Sequence, residues 1–74
     1  MIQVTMPKMS EWIKLCGGRK HLKQYYKWYV RVNGWIEKEF PFSDWCDVEW
    51  QLHQDELWAT GEKQWDGIKE WSNQ

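Results

Sequence analysis

The sequence predicts a small α+β domain: an antiparallel sheet centred on a β-hairpin at about 23–42, with one or two packed helices. Three observations carry this reading. Apolar and polar residues alternate along 23–32, an Asn33-Gly34 pair follows them, and aromatic and β-branched side chains crowd both flanks. The implied order is β-α-β-β-α(-β), and an all-β minibarrel is the alternative.

At the start of the chain Ile2, Val4 and Met6 alternate with polar residues, a short strand that Pro7 ends. Ser10 then serves as an N-cap with Glu11 in the first turn, and Gly17-Gly18 stops the resulting short helix. The hairpin follows. Its ascending strand places Tyr26, Trp28, Val30 and Val32 on one face and Lys23, Tyr25, Lys27, Tyr29 and Arg31 on the other. A two-residue Asn-Gly loop would set Glu37 and Glu39 against core residues. A three-residue loop, Val32-Asn33-Gly34, pairs Arg31 with Trp35, Tyr29 with Glu37 and Lys27 with Glu39 instead, and is the preferred register.

Residues 44–59 fit two templates. Ser43-Asp44 as an N-cap, the absence of internal Gly or Pro, and Gly61 as a stop favour a helix; the alternation of Cys46, Val48, Trp50 and Leu52 suits a strand. The helix is preferred on length and capping. The tail, 62–74, has Trp65, Ile68 and Trp71 at helical spacing but also an Asp66-Gly67 turn signal, and is left as an edge strand or a short helix.

Seventy-four residues suit a single minidomain, 1–74, whose interior is aromatic rather than aliphatic: eight Trp, three Tyr and two Phe against four each of Ile, Leu and Val. So small a domain leaves part of that surface exposed. Trp12, Trp28, Trp45 and Trp50 are assigned to the core, and Trp35, Trp58, Trp65 and Trp71 to the surface. The net charge of −1 conceals a division: residues 1–34 carry seven Lys/Arg and one acid, residues 35–74 three Lys and ten acids. Either the halves neutralise one another on folding, or the surface is bipolar.

Several classes are set aside. No apolar run is long enough to span a membrane, and the first residues do not resemble a signal peptide, which points to a cytoplasmic protein with reduced cysteines. Cys16, His21, Cys46 and His53 match no zinc spacing, so neither metal nor cofactor is expected. No nucleophile sits in a recognisable catalytic setting, and the chain is read as no enzyme. Glu49 and Glu56, flanked by apolar stripes, are the carboxylates best placed for a shifted pKa.

What remains is a non-catalytic interaction module that binds a protein partner stoichiometrically. A small regulatory inhibitor or adaptor of phage or bacterial type would have this character, and the surplus Trp also suggests a homodimer. The partner-binding residues expected are Lys23, Tyr25, Lys27, Tyr29, Arg31 and Trp35. The alternative is a single-stranded nucleic-acid-binding module that uses the same basic-aromatic face to stack bases and track phosphates.

Overall fold

The computed structural model describes residues 5–72 and is all-α: helices α1 (Met9–Leu15), α2 (Arg19–Val32), α3 (Phe42–Thr60) and α4 (Trp65–Glu70), with no strand among the described residues. This overturns both the α+β sheet and the minibarrel. The expected first strand lies partly outside the described residues, and positions 5–8 are irregular. The helix expected after Pro7 is α1, capped from Lys8 rather than Ser10.

The hairpin is replaced by α2 and the loop after it. Leu22, Tyr25, Tyr26, Tyr29 and Val30 follow the i, i+3, i+4, i+7, i+8 rule, and this helical stripe outweighs the period-2 alternation superimposed on it. Asn33-Gly34 closes a helix instead of turning a ribbon. Gly34 takes φ 71° and donates its N–H to the Arg31 carbonyl, while Trp35 donates to Val30 at 2.9 Å. These are the two bonds of a Schellman cap, and the apolar contact that usually accompanies one is present: the Trp35 and Tyr29 rings are 5.5 Å apart. Trp35 also meets Phe40 at 5.5 Å, folding the 33–41 loop back onto α2. The Tyr26 hydroxyl secures it by donating to the Phe40 carbonyl.

Residues 44–59 are helical, inside the longer α3, which Gly61 ends in the left-handed region. Ser43 and Asp44 lie within its first turn, two and three residues past the N-cap at Pro41. Trp45, Cys46, Glu49, Trp50, His53 and Leu57 form its inward stripe. The tail is the short helix α4, which buries Trp65 and Ile68 despite the Asp66-Gly67 pair.

The core is built around Trp12, Cys16, Leu22, Tyr26, Val30, Trp45, Cys46, Leu57, Trp65 and Ile68. Trp45 is its hub, within 6 Å of the Tyr25, Tyr26 and Tyr29 ring centres. The tryptophan assignment is corrected in detail: Trp65 is buried, Trp28, Trp50 and Trp71 are half-buried, and Trp35 and Trp58 are exposed. No helix among the described residues is long and apolar enough to cross a membrane.

Candidate nucleic-acid interface

Folding 19–32 as a helix redistributes the six residues expected to form one partner-binding face. Neighbours at i and i+2 share a face on a strand but stand about 200° apart on a helix. Tyr25 and Tyr29 accordingly turn inward and are half-buried against Trp45, whereas Lys23, Lys27 and Arg31 point to solvent. Trp35 leaves the group to close the C-terminus of α2, and the cross-strand Arg31–Trp35 pair of the expected hairpin is not formed. Among the described residues the cation–π contact is Arg19 over Phe42, at 5.8 Å.

The outward face of α2 has its own order. Lys20, Lys23, Lys27 and Arg31 are all exposed and fall at i, i+3, i+7 and i+11, within an arc of about 80° and over about 16 Å of axis. Gln24 lies at its margin, and an open groove of about 200 Å³ runs between Gln24, Lys27, Trp28 and Arg31. The alternation rule selected three of these cations; a helical wheel is needed to add Lys20 and Gln24.

α2 itself contains neither Asp nor Glu, and Glu37, from the loop after it, shares an open groove with Lys27 and Arg31 without an ion pair to either. No Lys or Arg among the described residues is in ion-pair contact with a carboxylate; the pairing found is between His53 and Glu49. The first turn of α2 carries Arg19 and Lys20, placing positive charge at the positive end of the helix dipole. That arrangement costs the free protein tenths of a kcal/mol per charge, and a bound anion would relieve it. The helix enters from Cys16-Gly17-Gly18, where Gly17 and Gly18 have φ of 104° and 99° and cap α1 by donating to Lys14 and Ile13. A seven-residue helix, a glycine turn and a fourteen-residue basic helix have the proportions of a helix-turn-helix unit.

The other chemistry-bearing residues are structural. Trp12 donates its indole N–H to His53 Nδ1 at 3.0 Å, so that nitrogen is unprotonated and Nε2–H donates to Glu49 at 3.2 Å. This buried relay ties α1 to α3 and gives Glu49 a partner without exposing it to a substrate. Glu56 lies on the same inward edge of α3, half-buried. Burial pushes the Cys16 thiol up to about 12, with Cys46 and Glu49 adding to the effect, and Cys46 up to about 11, with Asp47 and Glu49 adding and Arg19 opposing, so both remain thiols at neutral pH. Burial likewise raises Tyr25 and Tyr29, with Glu49 contributing. Among the described residues no three His, Cys, Asp or Glu side chains converge to hold a metal ion.

No protein-family model, curated protein or solved structure matches this chain.

Proposed function

We propose that this chain is a non-catalytic nucleic-acid-binding module that sets the outward face of α2 against a phosphate backbone. One observation carries the reading: four exposed cations, Lys20, Lys23, Lys27 and Arg31, share one face of a helix that has no acid of its own and, among the described residues, no carboxylate in ion-pair contact. Neutralising about four phosphates would give a log–log salt slope of about −3 to −4. Raising salt from 50 to 200 mM then weakens binding roughly 60- to 250-fold. Fluorescence anisotropy with a labelled oligonucleotide measures this, and Lys23→Glu/Lys27→Glu should lower affinity at least tenfold at the lower salt while leaving the helical circular dichroism unchanged. Salt-insensitive binding, or a variant that binds as well as the parent, refutes the proposal.

A protein partner remains the second reading, favoured by α3. Its outward face exposes Val48 (47%), Leu52 (52%) and Trp58 (78%) among acids, and the helix holds no Lys or Arg. A stoichiometric inhibitor, an adaptor or a homodimer would use that face. Sedimentation of the parent and of Leu52→Lys separates the homodimer from a monomer.

A further inference from the structure

Building on the proposed function, we infer that the nucleic acid is duplex DNA and that α2 lies in its major groove. The argument begins with what the cationic face lacks. Single-strand binders combine cations with aromatic ring faces on which bases stack. Here the candidate platforms are engaged inside the protein. Tyr25 packs on Trp45 and Trp71 at 5.9 and 5.5 Å, Tyr29 on Trp45 and Trp35 at 5.9 and 5.5 Å. Trp28, at the edge of the face, leans on Tyr25 and Trp71 at 5.5 and 5.7 Å. The exposed rings are Trp58, on α3, and Trp35, which lies beside Lys27 and Arg31 at the end of α2 and packs on Tyr29 and Phe40; along α2 itself a base would have to break the aromatic core to find a ring.

What the face offers instead is a convex helix with long cationic arms. The B-DNA major groove, about 12 Å wide, admits an α-helix. Cations spread over about 80° of arc reach phosphates along the groove wall, as a narrow line along the crest would not. Gln24, the uncharged hydrogen-bonding side chain beside them, has the donor and acceptor pair that matches an adenine edge. The glycine turn before α2 fits the same mode, since it lets a preceding short helix fold away from the one that enters the groove. Duplex RNA is disfavoured because its major groove is deep and too narrow for side chains to read.

The test compares, by anisotropy at one salt concentration, a 20-bp mixed-sequence DNA duplex, one of its single strands, and an RNA duplex of the same sequence. A fourth probe is the DNA duplex carrying bulky groups at cytosine C5, which fill the major groove. The expected result is at least tenfold preference for the DNA duplex over the single strand and the RNA duplex, with about tenfold weakening by the C5 groups. Equal or tighter binding to the single strand or the RNA duplex overturns the inference while leaving the proposed function standing. So does indifference to the C5 groups. Binding to none of the probes removes both.

Discussion

Replacing Trp12 with Phe tests the buried relay that joins α1 to α3. Trp12 is fully buried, and its indole N–H meets His53 Nδ1 at 3.0 Å in a site where His53 itself is only 5% exposed. Phe retains an aromatic ring but no donor, so Nδ1 faces an apolar edge without a partner, costing about 1–3 kcal/mol. The smaller ring adds a cavity cost of about 1–2 kcal/mol if the surroundings do not close. Together, about 2–5 kcal/mol is a large share of the roughly 4–11 kcal/mol expected for a domain of this size. The fall in Tm is on the order of 15 °C. Trp50→Phe is the matched control: it also loses an indole bond, to the Pro7 carbonyl at 3.0 Å, but from a half-buried position where water can replace it. Its cost should be about 1 kcal/mol. Urea denaturation followed by circular dichroism reads both variants without depending on tryptophan emission. If Trp12→Phe is no more destabilising than Trp50→Phe, the Trp12–His53 bond does not exist as described.

Two further perturbations address the helix ends and the thiols. Gly17→Ala should destabilise by about 2–3 kcal/mol against about 1 for Gly34→Ala, compared by urea midpoint: both glycines have positive φ, but a Cβ at Gly17 would lie 2.7 Å from His21 Cδ2, whereas Gly34 faces open space. The cysteines make stability pH-dependent. Their folded-state values lie above the ordinary 9.0, so the unfolded chain loses these protons first. The stabilisation is complete below about pH 9 and is lost as pH rises toward 12. Native protein at pH 8 should react with a thiol-specific disulfide reagent far more slowly than denatured protein, and equal rates would show that Cys16 and Cys46 are accessible.

The helices that could be read from the sequence are those with a clear stop and no stronger competing signal. Trp12 and Cys16, ended by Gly17-Gly18, read as a short helix, and the run to Gly61, though its alternation also suited a strand, is long and free of Gly and Pro, which favoured the helix. Residues 23–34 admit two. Their apolar set satisfies period 2 at 26, 28, 30 and 32 and period 3.6 at 22, 25, 26, 29 and 30; tyrosine and valine tilt local preference toward the strand. Packing decides between them, because only the helix delivers Tyr25, Tyr26 and Tyr29 together to Trp45. Asn-Gly adds to the ambiguity. A glycine with positive φ closes a hairpin and a Schellman cap equally well, and the dipeptide does not record whether the chain before it is extended or coiled.

The charge division was legible, whereas its spatial meaning depended on the fold. Two oppositely charged halves of a chain could neutralise each other across a hairpin, with Lys27 and Tyr29 beside Glu39 and Glu37. On helices the charges are instead sorted by element: α2 holds five Lys/Arg and no acid, and α3 holds five Asp/Glu and no Lys or Arg, with Asp44, Asp47 and Asp55 exposed and Glu49 and Glu56 half-buried. The two pack together through aromatic rings. Their charged faces therefore look away from the contact, and the Lys and Arg of α2 form no ion pair with the carboxylates of α3. Such an arrangement forgoes attraction that a simple helix pair could have used, on the order of tenths of a kcal/mol per exposed pair. It also keeps the acids of α3 from neutralising Lys20, Lys23, Lys27 and Arg31 by direct contact. That unpaired cationic face is what a polyanion requires of a protein whose net charge is −1.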